Sequence, residues 1–599
     1  MAANTLDVGA VLSPDQIADE IAVKYDAWKR DRHTWEEERL ELRNFLYATD
    51  TRTTTAGTLP FKNSTTTPKL SQIAQNLKAN YMSHMFSDPN WINWEMEEKT
   101  EGAFKKRNSI ESYVRTKMRL NGSMQIIDAL VDDWIQQGVC YCRLNYVNES
   151  HIDEAGLTVP GYIGPRLERI SPHDIVFNIA ATSFENSPKI IRSLLSMGEL
   201  VKQSKTNPED TAWTEETLNA MRARRVAIRG SAKEVAKADM DKSRQYIADG
   251  FSSITEYYNT DLVEVLEFYG DWYDVDTGEF LENYMITVVD RVHVVRKEPV
   301  KNWRGRPYIY YSAWRERPDN LMGMGPLDNL VGMQYKIDKL ENLKADVFDQ
   351  IANPTVVETG DVEFFGVRGA PGQRYVVAEG GTVQHLRPDT TALSADLQIA
   401  QTMSLMEELA GAPREAMGMR SPGEKTKFEV QVLDNAANRL FRNKVRKFEM
   451  FLEDILNDFL EMARRNLDGA DTIRMQDTTF GVDQFIDITK EDITATGKMY
   501  ARGSMLFEKQ ANSLQNLNMV FNSQLGQIIA PHMSRKQLAR IVEDLLSADQ
   551  FKLFRDNVGL MEDLESQRLM QAGAEQLEEE SMTDGTLNGD ESEVPPESV

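Results

Sequence analysis

Cysteine is nearly absent. Of 599 residues two are cysteine, Cys140 and Cys142. Set two apart in Gly-Val-Cys-Tyr-Cys-Arg, they would share one face of a strand, and they lack the Cys-x-x-Cys spacing of a metal or redox pair. They read as small apolar strand residues. No disulfide framework is implied, which fits a reducing compartment. No uncharged apolar run approaches 18 residues, so no membrane-spanning helix is expected. Met1 to Ala10 lacks the basic and apolar regions of a signal peptide.

Histidine is sparse and scattered. His33, His84, His151, His173, His293, His385 and His532 fall in no H-E-x-x-H or other ligand spacing, and no G-x-S-x-G elbow is present. No catalytic residue, metal or cofactor is therefore expected. Two near-motifs fail on chemistry. Gly418 to Thr426 (Gly-Met-Arg-Ser-Pro-Gly-Glu-Lys-Thr) resembles a phosphate-binding loop, but Glu424 separates Gly423 from Lys425 and puts a negative charge where phosphates would sit. Asp274-Val-Asp276-Thr-Gly278 resembles the start of a calcium loop, but strand patterns rather than helices flank it, so it reads as a hairpin turn.

Positive charge is also short. Lys and Arg total 68 against 94 Asp and Glu, for a net −26. Residues 572–599 hold nine acids and no Lys or Arg, and read as an acidic disordered tail. The rest still carries about −17. A chain that grips DNA usually shows a basic excess. This one either never meets nucleic acid or lets it slide past an acidic wall that repels phosphate.

What is present is globular: 41% hydrophobic and 27% charged residues, with length for several domains. Ser13-Pro14-Asp15 starts a helix expected to run to about Tyr47. Threonine-rich 49–67 reads as a loop. Helices follow at Lys69 to about Phe86, Phe104–Leu120 and Met124–Gln137, then a strand at Val139–Val147. Leu167–Phe177 reads as strand, turn, strand. Residues 195–250 read as an exposed helical insertion. Leu262–Tyr273 and Asn283–Lys297 form a hairpin, and Tyr308–Trp314 is a further strand.

A helix from about Pro326 to Ala352 carries Leu330, Met333, Ile337, Leu340, Leu343, Val347 and Ile351 in a narrow near-heptad stripe, about 40 Å long. Asn353-Pro354 stops it. Short strands at Thr355–Glu358 and Arg374–Ala378 lie among glycines and prolines, in a form suited to β-augmentation across subunits. Another helix, Ala392–Leu409, leads through Arg414–Thr426 into the longest, about Lys427 to Asn466. Phe485–Thr494 reads as a strand, and Met505 to about Gln571 as helical. The overall class is α+β, mainly helical.

Basic residues punctuate this acidic chain. Arg414, Arg420, Lys425 and Lys427 cluster between two helices, either as a solvated loop or as a mobile loop facing DNA phosphates. Arg439, Arg442, Lys444, Arg446 and Lys447 crowd the first half of the longest helix, against the helix dipole. Either packing against opposite charge or a basic band near DNA accounts for that.

The ordering resembles tailed-phage portal proteins, the head-to-tail connectors, especially those of short-tailed phages. Four stretches carry the resemblance. Asn76-Leu-Lys-Ala-Asn-Tyr-Met-Ser-His-Met-Phe-Ser-Asp-Pro-Asn-Trp91 is similar to an early family helix ending in an aromatic turn. Leu167-Glu-Arg-Ile-Ser-Pro-His-Asp-Ile-Val-Phe177 is similar to a wing strand and turn. Gly323-Met-Gly-Pro-Leu-Asp-Asn-Leu-Val-Gly-Met-Gln-Tyr-Lys-Ile-Asp-Lys-Leu-Glu-Asn342 is similar to the first stem helix. Gly418-Met-Arg-Ser-Pro-Gly-Glu-Lys-Thr-Lys-Phe-Glu429 is similar to a loop and the start of a long wing helix.

The resemblance implies a ring of twelve subunits with wing, stem, clip and crown. It would place an N-terminal arm at 1–30, wing at 31–322, stem helices at 323–352 and 390–411, and clip at 353–389. A tunnel loop would lie at 412–427, more wing at 428–500, crown at 501–571 and the tail at 572–599. Leu330, Ile337, Leu340 and Val347 would be stem residues. Asn353, Pro354, Arg368, Pro371, Arg374 and His385 would lie on the clip that docks the terminase large subunit and then adaptor or tail proteins. Arg414, Arg420, Lys425 and Lys427 would face double-stranded DNA, bound without sequence preference. Major capsid protein and scaffold are further implied partners. The site would be the capsid portal vertex of the virion, assembled in the host cytoplasm. Another capsid–tail connector or coiled-coil scaffold, or a nucleotide hydrolase or nuclease, are the rival readings.

Overall fold

The computed structural model describes residues 14–47, 63–86, 91–97, 101–152, 158–206, 213–227, 244, 247–249, 262–273, 278–291, 293–300, 302–352, 355–360, 362–365, 374–386, 390–410, 427–467, 469–476 and 483–501. The chain divides into two compact units, Met1–Ile473 with Asp487–Ser504, and Arg474–Ile486 with Met505–Val599. All but the first residue of the expected crown, and the acidic tail, lie outside the described residues.

In chain order the elements begin with α1 (Pro14–Asp31), α2 (His33–Tyr47), α3 (Lys69–Met85), β1 (Ile92–Met96), α4 (Glu101–Leu120) and α5 (Ser123–Gln136). Then come β2 (Val139–Ile152), β3 (Thr158–Ile170), β4 (Ile175–Phe177), β5 (Lys189–Ser196), α6 (Met197–Thr206), α7 (Glu215–Ala227), β6 (Leu262–Tyr273), β7 (Phe280–Val289) and β8 (His293–Pro299). Next are β9 (Ile309–Ala313), β10 (Arg315–Arg317), β11 (Asn320–Met324), α8 (Val331–Ala352), β12 (Thr355–Thr359), β13 (Val362–Phe365), β14 (Arg374–Val377) and β15 (Thr382–Leu386). The chain continues with α9 (Asp396–Leu409), α10 (Lys427–Asn466), β16 (Ala470–Gln476), β17 (Asp483–Thr489), α11 (Lys490–Ile493) and β18 (Gly497–Ala501). The larger sheets run β3-β2-β9 and β4-β5-β6-β7-β8, and the others are two-stranded.

The expected helix over 13–47 is two helices, and Arg32 is the reason. Its side chain, 3% exposed, donates to the carbonyls of Pro172 at 3.0 Å, His173 at 2.5 Å and Ile175. Three buried carbonyls need donors, and one guanidinium supplies them. Of the segment assigned to an N-terminal arm, 1–13 lies outside the described residues and the rest is packed: Ile17, Ile21 and Tyr25 of α1 are at most 1% exposed and lie against Leu266, Phe268 and Ile286 of the five-stranded sheet.

The opposite face of that sheet corrects the reading of 195–250 as exposed. Leu200, Trp213, Leu218 and Met221 are buried against Val263, Val265 and Val289. Strand β6 therefore sends alternate side chains into two cores, a demand that surface polarity in α6 and α7 conceals. The return strand expected over 283–297 is β7 and β8, separated by a turn with Asp290 at φ 48° and Arg291 at φ 60°. Neither is glycine, so the usual hairpin signal is missing. Strand β17 stops at Thr489 because a Thr489–Asp492 capping box starts α11.

The largest core gathers α3, α4, α5, the start of α8, α9 and the second half of α10. Trp134, Phe448 and Phe459 are at most 1% exposed, and Tyr81 stacks on Phe441 at 4.5 Å. Cys140 and Cys142 are free thiols buried in this same core, as their shared strand face requires, and burial raises both thiol pKa values.

Phe448→Ala should lower the free energy of unfolding by roughly 3–5 kcal/mol. Chemical denaturation of the purified chain measures this. A change below about 1 kcal/mol would show that the aromatic cluster around α10 is not the stabilising centre.

Candidate functional site

The most distinctive assembly is the one built on α8. Its entry needs a close backbone crossing. Gly138 has φ 76°, and a Cβ there would lie 2.4 Å from the Gly325 nitrogen. A Cβ on Gly325 would lie 2.8 Å from the Ile135 carbonyl oxygen. Only glycine lets the end of α5 and the exit of β11 pass at this distance. Asp328 then closes the turn, accepting from the Gly325 amide at 3.0 Å and from Arg39 at 2.5 Å. The expected start at Pro326 becomes a 3-10 turn, Asp328–Leu330, before the α-helix begins at Val331.

Two faces of α8 are buried for different reasons. Leu330 and Ile337 are fully buried in the main core, and Leu340 packs against it. Val347 is half-buried. The first half of the expected stem stripe is thus filled by the chain's own interior. Near the far end Phe348 and Ile351 are 57% and 43% exposed.

The other face is polar and was not foreseen. Residues 63–68, part of the expected loop, run extended beside α8. The Thr67 amide donates to Asp338 Oδ1 at 3.0 Å, and Gln334 donates to the Thr67 carbonyl at 2.5 Å. Asn342 accepts from the Thr65 amide at 2.9 Å and donates to its carbonyl at 3.1 Å. Asp346 accepts from the Asn63 amide at 3.0 Å. Four helix positions advance about 6.0 Å and two extended residues about 6.6 Å, so positions 338, 342 and 346 keep step with 67, 65 and 63, and Gln334 takes the Thr67 carbonyl. Gln334, Asp338 and Asn342 are at most 1% exposed. The available sequence signal was a polar residue every fourth position, opposite the apolar stripe.

Asp338 bears the cost of this arrangement. Burial pushes its carboxyl up to about 6, against hydrogen bonds from the Thr67 amide and Gln334 that lower it. Its Oδ2 is buried without a hydrogen-bond partner. Below the strap, Lys69 and Glu407 pair at 2.5 Å, both buried, and tie α3 to α9.

From α8 the chain enters one long two-stranded hairpin. Val356 faces His385 in the outer pair, β12 with β15, and Phe365 faces Arg374 in the inner pair, β13 with β14. The register slips between the pairs, where Gly360 (φ 87°) and Gly380 (φ 95°) turn the backbone. Two of these four strands, β13 and β15, were missed, because each is short and glycine-flanked. Within the chain these strands pair with each other. Val357, Val376 and Val377 are exposed. Helix α9 then returns alongside α8, held by Lys344 to Asp396 at 2.5 Å. It buries Ile399, Thr402 and Met406 while leaving Leu397, Leu405 and Leu409 at 71%, 44% and 53% exposure.

Among the expected clip residues, Arg374 and His385 have described backbones only, and Asn353, Pro354, Arg368 and Pro371 lie outside the described residues. So do Arg414, Arg420 and Lys425. Lys427 is the first residue of α10, and its side chain is also outside. The Gly418–Thr426 near-motif lies outside as well. The Asp274–Gly278 near-motif sits between antiparallel β6 and β7, where Tyr273 faces Phe280. Among the described residues no His, Cys, Asp and Glu group could hold a metal ion, and no helix is long and apolar enough to cross a membrane.

Comparison with known proteins places this arrangement. The family model described as "Phage SU10 portal protein" matches residues 159–582. No curated protein matches the chain.

Because the Asp338 carboxyl pKa is raised in the folded state, its ionisation opposes folding. The contribution is absent below the unfolded value near 4, grows as pH rises toward about 6, and is constant above. Asp338→Asn should gain on the wild type across that window, by on the order of 2 kcal/mol. Denaturation midpoints at pH 4, 5, 6 and 7 test this. A difference independent of pH would show that Asp338 does not titrate there.

Proposed function

The chain belongs to the phage SU10 portal protein family, and from that premise we propose that its copies close into a ring at the capsid vertex through which double-stranded DNA enters and leaves. A portal protein of a tailed phage is a structural connector rather than an enzyme, and the vertex of the virion is its place. The observation that most supports a ring is the apolar surface left at the helix–hairpin–helix assembly: Phe348, Ile351, Leu397, Leu405 and Leu409 are all exposed. Exposed apolar residues grouped on one arm mark an association surface, and a heterologous contact repeated around an axis closes a ring.

In this reading 31–322 and 428–500 form the wing, with 1–30 at its N-terminal edge. Residues 323–352 and 390–411 form the stem, 353–389 the clip, 412–427 the tunnel loop and 501–571 the crown. The clip hairpin carries the surface for the terminase large subunit during packaging and for adaptor or tail proteins afterwards. Capsid protein and scaffold contact the outside of the ring, which assembles in the host cytoplasm with twelve copies. The acidic balance suits a passage that must not hold its cargo.

Negative-stain microscopy or mass photometry of the purified chain should show rings of about twelve copies with a central hole, the number following from the family's architecture. Leu405→Asp combined with Phe348→Asp should disperse them, while the circular dichroism of the subunit stays unchanged because both side chains are already in water. Monomers or dimers alone from the wild type, at micromolar concentration and across salt conditions, would sink the ring.

A further inference from the structure

Basic residues of α10 were expected either to meet opposite charge or to form a band near DNA, and the structure divides them. Arg446 is matched by its own helix, at 3.0 Å from Glu453 and 3.7 Å from Glu449. Lys444 and Lys447 instead face the β10–β11 hairpin. Lys444 Nζ donates to the Trp314 carbonyl at 2.6 Å and lies 4.0 Å from the centre of the indole ring. Lys447 pairs with Glu316 at 2.5 Å. Arg315 is exposed, Arg317 is half-buried, and the Arg317 Nε is buried without a hydrogen-bond partner. Arg315, Arg317, Lys444 and Lys447 thus lie on the hairpin and the stretch of α10 it faces, against Glu316 and, at the hairpin turn, Asp319, in a chain of net charge −26. Their mutual repulsion is visible at Lys444, whose ammonium is destabilised first by burial and then by Lys447 and Arg315, with Glu316 opposing.

We propose that Arg315, Arg317 and Lys447, braced over Lys444 and Trp314, form a contact for the sugar–phosphate backbone of double-stranded DNA. This rests on the channel reading above and adds the residues that touch the cargo. The chemistry favours phosphate over a single small anion. The cations sit on two elements rather than around one pocket, and Arg315 and Arg317 stand two residues apart on β10, across a register shift, at a separation of the order of that between successive phosphates. Three contacts per subunit give a weak, salt-sensitive hold. A surface that must let DNA slide needs that strength and no more, and Glu316 beside Lys447 weakens it further.

The test uses the full-length chain and a short fluorescent linear duplex, with binding followed by anisotropy through a salt series. For wild type the logarithm of affinity should fall linearly with the logarithm of salt concentration. R315A/R317A/K447A should reduce that slope by about 2–3 with the same oligomer seen by microscopy, and R315K/R317K/K447R should restore it. Glu316→Gln, an exposed change that leaves the fold alone, should tighten binding several-fold at low salt. An unaltered slope in the alanine variant overturns the proposal. If the alanine variant fails to fold, unchanged affinity in Glu316→Gln overturns it instead. Absence of rings in the wild type counts against the channel reading alone, because the slopes remain measurable on the subunit.

Discussion

An extended backbone laid against a helix cannot satisfy itself, and this constraint organises the centre of the molecule. The amides and carbonyls of Thr65 and Thr67 are met by side chains of α8. Leaving such groups buried and unpaired costs more than a made hydrogen bond returns. The solution is a column of side chains, Gln334, Asp338 and Asn342, fully buried and spaced to match an extended chain. The column fixes both the rotation of α8 and the residue at which the strap begins α3. Arg39–Asp328 ties the entry of α8 to α2, the strap ties α8 to the start of α3, and Lys69–Glu407 ties α3 to α9.

That fixed base gives the hairpin beyond α8 its mechanical sense. Two helices leave the core side by side, bury their inner faces and show leucines on the outer one. Between them the only pairing of the four short strands, among the described residues, is with each other. The arm is tied to the core at its base and leaves apolar side chains exposed along its length. The charge distribution obeys the same division. Most cations are matched within the subunit, such as Arg192 and Arg291 on Glu264 and Arg143 on Glu168 and Glu267. At the β10–β11 hairpin Lys447 is matched by Glu316, while Arg315 is exposed.

Long regular elements were legible in the sequence. Helix α10 spans Lys427–Asn466 and β6 spans Leu262–Tyr273, both where periodicity placed them, because one apolar stripe or alternation over many residues has few other interpretations. Short elements and turns were not. The Arg32 break and the Asp290–Arg291 turn carry no glycine or proline signal, and contacts distant in sequence impose them, whereas the β10–β11 hairpin does turn at Pro318-Asp319 but pairs strands too short to show a period. Of the candidate site, the helix and its stop were legible. The polar column was not, since nothing local says that residues 63–67 lie beside residues 334–346.

By itself the sequence determined the class of the protein and its order: a mixed, mainly helical chain, acidic, without a metal or nucleophile motif, with a helix, a glycine-broken segment, a returning helix and a longer helix in succession. Local periodicity and composition carry that information because they depend on neighbours within a few turns. The tertiary structure decided the rest. It turned α6 and α7 inward onto a sheet, filled half the stem stripe from within and set Lys444 and Lys447 against the β10–β11 hairpin. Burial and electrostatic pairing are sums over residues far apart in sequence, so only the folded chain can state them.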